Sequence, residues 1–334
     1  MCRAGEIPVR PSVASLPNLS EALTAYATAK KIRPSSHARY QSVLKTHFQD
    51  WLEQPVSALK GAAFAEHCHA FVQKNGAAIV ELGRGLIGSL LRYLHAVHGL
   101  EVPNPFLKLG AAGLLPSRAQ PRTRKLREAD LPAWSAAVDK LPELQRDYLR
   151  LVFLTGLRKN ECGAILRDHV DLEGGVLLIP NTKGGKPHTL PITMPMREVL
   201  ERRCAARGSA ARLFAGLSVD HVTERAQRAG AQEFTLHDLR KLLATVGARL
   251  EIGDAILRRI LGHAPKRSDA LHRHYVGLDE RDVADALVRI QQALSLSCMS
   301  LEDRESRGPQ SPEDTRRLAT VVADVAKTSV DADL

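Results

Sequence analysis

Two arginines, two histidines and a tyrosine stand in a definite order along the second half of this 334-residue chain. They occupy four short segments: Thr155-Gly156-Leu157-Arg158-Lys159-Asn160-Glu161, His237-Asp238-Leu239-Arg240, Leu261-Gly262-His263, and Tyr275. Guanidinium forks can grip the non-bridging oxygens of a phosphodiester. Imidazoles can donate hydrogen bonds or carry protons near neutral pH, and a phenolic oxygen can become a covalent nucleophile. Taken singly, each residue has a plainer reading: Arg158 as an arginine paired with Glu161 one turn on, His263 as a helix-end hydrogen-bonder, Tyr275 as a core or rim aromatic. The ordered conjunction is what points to phosphate chemistry. Of the five tyrosines, only Tyr275 follows both histidine segments.

The elements that must hold these groups can be read from periodicity and punctuation. A helix over about 143–155 stops at Gly156 and leaves Arg158 on a short turn before another helix over about 159–166. His237 and Arg240 share one face at the start of a helix over about 237–251, near its free amides and positive pole. His263 ends a helix over about 254–261. Val176–Ile179 and His188–Ile192 read as the strands of a hairpin whose turn, Asn181 to Lys186, carries Lys183 and Lys186. Further helices are expected near 195–207, 219–229 and 279–295, and Asp130 is a candidate cap for one starting at Leu131-Pro132.

Upstream, residues 19–110 show helical patterns and no strand pattern. Ser20 is the candidate N-cap of the first helix, Pro34-Ser35 opens the second, and two more cover about 57–74 and 78–98, the last ended by Gly99. The stretch 111–127 brings Arg118, Arg122, Arg124, Lys125 and Arg127 together without an acid, which suits a linker and contact with a phosphate backbone. The expected organisation is an arm (1–18), a helical unit (19–110), the basic linker (111–127), a second domain (128–298) that holds the four segments, and a polar tail (299–334). The fold class is therefore mainly α with a small β-sheet: an all-helical first domain and a mixed α+β second domain.

Composition agrees with a polyanionic partner. The formal net charge is +10; residues 301–334 carry −3, so residues 1–300 hold +13. With aromatics at 4% the core is expected to rely on Leu, Val, Ile and Ala. Five scattered cysteines without a paired spacing argue against a disulfide frame or zinc ribbon, and fit the cytoplasm. No secretory signal or membrane span is apparent. Gly83-x-Gly85-x-x-Gly88 lies in a helical unit with no preceding strand, so close helix packing explains it better than a dinucleotide site. His272-x-His274 lacks partners at zinc-ligand spacing, and Gly184-Gly185-Lys186 lacks the rest of a P-loop. No cofactor and no metal are expected.

The Arg158 segment with Glu161, the His237/Arg240 segment, Leu261-Gly262-His263 and the later Tyr275 together resemble the tyrosine recombinases, the phage-integrase family. The resemblance covers about 120–295 strongly and 19–110 weakly, and it implies that 19–110 is the core-binding (DNA-binding) domain and 128–298 the catalytic domain. It implies that Arg158 and Arg240 clamp the scissile phosphate, Lys183 protonates the departing 5′-oxygen, His237 and His263 assist, and Tyr275 is the nucleophile, with Glu161 supporting Arg158. Two departures stand out: Tyr275 follows His263 by more residues than is usual in the family, with Ala264 to Arg267 as the insert, and Lys186 competes with Lys183. The implied activity is site-specific recombination or integration of double-stranded DNA through a 3′-phosphotyrosine link and a Holliday junction. The protein would act as a tetramer on DNA, with accessory proteins possible and nucleoid association when bound. The rival readings are a type IB topoisomerase and an inactive DNA-binding accessory protein.

Overall fold

The computed structural model describes residues 17–117, 126–180, 182, 187–206, 211–263 and 279–299. The chain divides into two units, Met1–Arg122 and Thr123–Leu334.

The described part of the first unit is built from helices: α1 (Leu19–Ala29), α2 (Pro34–His47), α3 (Ala62–Lys74), α4 (Ala77–His98) and α5 (Pro105–Ala111). The first cap is Asn18 rather than Ser20. Its carboxamide accepts from the Glu21 amide while the Glu21 carboxylate returns a bond to the Asn18 amide. That reciprocal box satisfies two helix-end donors, which a serine inside the helix could not do. The helix expected over 57–74 is broken at Gly61, with a short 3-10 turn before it and α3 after it. Phe48, Trp51, Phe64, Phe71 and Phe106 all lie in this unit's core, with the Phe48 and Phe71 ring centroids 5.1 Å apart. Aromatics thus join the aliphatic residues of this core, as Trp134, Tyr148, Phe153, Phe214 and Phe234 do in the core of the second unit. Gly83 explains its own motif: a Cβ there would lie 2.6 Å from the Phe71 ring.

The second unit packs α6 (Leu131–Asp139), α7 (Glu143–Thr155), α8 (Lys159–Gly163), α9 (Met194–Ala205), α10 (Val222–Arg228), α11 (Leu236–Arg249), α12 (Asp254–Ile260) and α13 (Glu280–Cys298). Strands β1 (Val170–Asp171), β2 (Val176–Ile179) and β3 (His188–Pro191) form an antiparallel sheet in the order β1-β2-β3. The two-residue β1 escaped the sequence reading because it is too short to show alternation. α8 ends at Gly163, earlier than expected. Asp130 does precede α6, but its carboxylate accepts from the Arg127 amide instead of capping that helix. Leu177 pairs with Leu190 and Ile179 with His188, and all four are buried. His188 is therefore a polar residue on the inward row of the hairpin.

α7 and α11 pack together and against α9, α12 and α13 around one apolar core. The α7–α9 seam also encloses Asp147, which is 0% exposed. Its carboxylate lies 2.8 Å from Arg203 Nε and 3.0 Å from Arg202 Nη2. Removing one member of such a group strands buried charge, a loss of about 3–5 kcal/mol. Asp147→Ala is accordingly expected to lower unfolding stability on that scale in denaturant titrations, whereas a loss of about 0.5 kcal/mol or less, the range of an ordinary surface change, would show that the pair carries little.

Candidate phosphate-binding site

Three local motifs bring the sequence segments to one place. α7 ends at Gly156, whose φ of +63° gives a left-handed cap that a side chain would strain. The chain then turns so that Arg158 caps α8. Its amide donates to Glu161 Oε2 at 3.0 Å and its Nη1 to Glu161 Oε1 at 2.7 Å. Glu161 is buried, so this pairing fixes both the turn and the guanidinium.

At the start of α11, Thr235 and Asp238 form a capping box, with the Asp238 carboxylate accepting from the Thr235 amide at 2.9 Å and hydroxyl at 2.8 Å. Asp238 therefore shapes the helix start, and His237 and Arg240 follow on the same turn. At the other end of the site, α12 closes in a Schellman motif. The Gly262 amide donates to Arg259 O and the His263 amide to Arg258 O, with Gly262 at φ +58°. The Leu261-Gly262-His263 segment is thus a helix stop that sets His263 in one orientation.

Arg240 joins these pieces. It is 5% exposed, and its Nη1 donates to Gly156 O at 2.7 Å while Nη2 donates to Leu261 O at 2.5 Å. Nη2 also faces His263 Nε2 at 2.9 Å. A guanidinium can only donate, so this His263 nitrogen is the acceptor and the ring is neutral with its proton on Nδ1. Burial, and then the nearby Arg158, bring the Arg240 pKa down to about 10, against the pull of Glu161; it remains charged at neutral pH.

The histidines feel the same field. Burial first, then Lys241, Arg240 and Arg158, hold His237 below its ordinary pKa, with Asp238 opposing. Burial first, then Arg240, Arg158 and Arg258, do the same for His263, with Glu161 opposing. The result is two fixed cations beside two neutral imidazoles, a setting made for an anion.

Arg158, His237, Arg240 and His263, with Glu161 behind them, are thus brought together. Lys183, Lys186, Tyr275, Arg118, Arg122, Arg124 and Lys125 lie outside the described residues, as does the His272-x-His274 pair. Arg127 is at the surface beside Asp130, 3.7 Å from its carboxylate. Among the described residues there is no cluster of His, Cys, Asp and Glu able to hold a metal ion, and no helix long and apolar enough to cross a membrane.

The structure adds two residues that the sequence reading passed over. Gln291 of α13, buried, donates to Leu154 O at 2.9 Å and accepts from the Thr193 hydroxyl at 2.6 Å, supporting the end of α7. His188 touches the last turn of α12, and its signal was a histidine at an inward position of a strand.

This helix-rich domain with its small sheet and its arginine-histidine cluster is of the phage-integrase type. Residues 124–280 match the model of the phage integrase family, and this stretch is a domain of that family of tyrosine recombinases. It is similar to the tyrosine recombinase XerA of Saccharolobus solfataricus, 28% identical over 137 residues, which cover 40% of this chain and 47% of that protein. It is also similar to the tyrosine recombinase XerC of Pseudomonas entomophila, 30% identical over 165 residues, 48% and 52% of the two chains. The chain spans about half the length of the curated relatives it matches. Among solved structures it resembles a lambda integrase tetramer bound to a Holliday junction, with a TM-score of 0.58 at 19% identity over 79% of this chain and 80% of that one. The Tn1549 transposon integrase with circular intermediate DNA gives a TM-score of 0.56 at 14% identity, over 82% and 99%. These likenesses establish the fold.

The pKa directions make a prediction. His188, His237 and His263 are all held low, so the folded protein takes up their protons at lower pH than the unfolded chain, whose histidines titrate near 6.5. Through these groups, stability falls as pH drops below about 6.5. NMR titration of the ring signals is expected to place all three midpoints below that value; a midpoint above it for His237 or His263 in the free protein would contradict the electrostatics described.

Proposed function

We propose that this chain is a site-specific DNA recombinase or integrase that cuts and rejoins duplex DNA through a covalent 3′-phosphotyrosine link. The observation that carries the reading is Arg240, which sits charged and nearly buried against two backbone carbonyls, with Arg158 and two neutral histidines around it. So costly a placement has an obvious use in stabilising an anion that arrives from outside.

In this reading Arg158 and Arg240 hold the non-bridging oxygens of the scissile phosphate. The Tyr275 phenol oxygen attacks phosphorus, the bond from phosphorus to the 5′-oxygen breaks, and Lys183 of the hairpin turn protonates the departing oxygen, with Lys186 as its competitor. The phenolic proton passes to a neutral imidazole, His237 or His263. Religation reverses the roles and retains the bond energy, so neither ATP nor metal enters the balance. The first unit, together with the basic residues Arg118, Arg122, Arg124, Lys125 and Arg127 of the linking stretch, would track the duplex backbone. Assembly as a tetramer on paired sites follows the family resemblance, as does passage through a Holliday junction; accessory proteins and association with the nucleoid belong to the same proposal.

The test starts from a pool of nicked duplexes with randomised cores, from which covalent protein–DNA adducts are selected on denaturing gels. The parent protein is expected to enrich a defined site, Tyr275→Phe to form no adduct, and Arg240→Ala to cut it about 100-fold or more slowly. Binding of that site without any adduct would favour an inactive DNA-binding protein. Adduct from Tyr275→Phe would overturn the nucleophile, and relaxation of plasmids lacking the site would favour a type IB topoisomerase.

A further inference from the structure

His188 belongs to none of the sequence segments, yet it is the side chain that fixes the turn on which the site depends. It is buried on the inward face of β3. Its Nε2 lies 3.1 Å from Ile260 O, and its Nδ1 lies 3.1 Å from Arg259 Nη1. A carbonyl only accepts and a guanidinium only donates, so one tautomer satisfies both: neutral, with the proton on Nε2. The next carbonyl along the chain, Leu261 O, is the one that receives Arg240 Nη2, and His263 follows two residues later. Gly262 lies beside the same ring, where an added Cβ would be 3.1 Å from His188 Cδ2.

Arg259 extends the contact. It donates through Nη1 to Thr189 O at 2.5 Å, and through Nη2 to Thr189 Oγ1 and to Glu280 Oε1, both at 2.7 Å. One guanidinium therefore ties β3 to the last turn of α12 and to the first turn of α13. Along the chain, β3 begins five residues after Lys183.

We propose that His188 is a positioning residue for the phosphate site, acting with Arg259 as a bolt that sets the Leu261–His263 turn and, through it, the hydrogen bonds of Arg240 and His263. This rests on the strand-transfer reading of the site. His188 touches none of the reacting atoms. Its protonation would set an N–H against Arg259, with Arg240 also near and Glu161 the only opposing charge among its named neighbours. Acidification therefore loosens the bolt, and the bolt holds in the neutral form.

Two measurements test this on the full-length chain. Long-range proton–nitrogen NMR of the histidine rings is expected to show His188 as the Nε2-protonated tautomer in the free protein. In His188→Gln, whose amide can still donate to Ile260 O, the His263 ring signals should stay near their parent positions; in His188→Ala and Arg259→Ala they should move. This readout needs no DNA, so it stands even if the strand-transfer reading fails. On the selected nicked site, single-turnover cleavage at saturating protein is expected to fall about 10- to 100-fold in His188→Ala, as small displacements of catalytic groups do. DNA affinity should stay within about twofold of the parent, because the phosphate contacts themselves remain, and His188→Gln should recover most of the rate. Were His188→Ala folded, with parent cleavage and an unmoved His263 ring, the proposal would be wrong. Equal loss in the Gln and Ala variants, tracking their melting temperatures, would reduce His188 to a packing residue. Should the Ala variant not fold, Arg259→Ala, Arg259→Lys and His188→Gln decide it: unchanged His263 signals and cleavage in all three overturn the bolt.

Discussion

The second unit is organised around the hydrogen bonds from one buried guanidinium to the carbonyls of Gly156 and Leu261. Each of those carbonyls ends a helix, so each would otherwise be an unpaired acceptor. Arg240 thus performs for two helices at once what a cap performs for one. In return, the helix ends hold its plane in a single orientation and leave it charged in a poorly solvated place. The glycine that ends α7 and the Schellman closure that ends α12 become parts of one device, because each delivers its carbonyl to the same side chain. Glu161 does the corresponding work for Arg158 through its amide and its guanidinium. What emerges is a pair of fixed cations whose geometry does not have to be made when a phosphate arrives, and preorganisation of that kind is where electrostatic catalysis draws its strength.

Much of this was legible in the sequence, for identifiable reasons. Gly156, Gly99 and Gly262 mark helix ends because positive φ favours glycine, and the structure ends α7, α4 and α12 beside those residues. The two antiparallel strands β2 and β3 announced themselves by β-branched and aliphatic runs on either side of a Gly- and Lys-containing segment. Arg158, His237, Arg240 and His263 were found by order and spacing, and the structure brings them together. Other features stayed hidden because they depend on partners far along the chain. Asn18 outcompeted Ser20 as a cap because Glu21 stands three residues after Asn18. His188 read as an ordinary strand residue, and its partners Arg259 and Ile260 lie some seventy residues later. Gln291 and Asp147 were equally silent, since a buried polar residue is recognisable only when its partners are known.

The electrostatics connect fold to chemistry. Histidines kept neutral beside arginines can accept a proton when a tyrosine is ionised, whereas permanently charged ones could only repel the neighbouring cations. In the proposed function an arriving phosphate would reverse that balance by supplying negative charge beside the two arginines. In the proposed reaction His263, once it carries a proton on Nε2, would donate that N–H to the anion instead of accepting from Arg240. Substrate and site would in this way complete one another's hydrogen bonding, and the resting protein would stay chemically quiet.

Strand transfer by this cluster, as proposed, would pass through a phenolic ester. The most direct measurement is mass spectrometry of the tryptic peptides from the trapped adduct, with the linkage end defined by exonuclease treatment. A nucleotide is expected on the peptide containing Tyr275, joined through its 3′-phosphate, with a free 5′-hydroxyl on the other fragment of the cleaved strand. A link to another residue, or one through a 5′-phosphate, would contradict it.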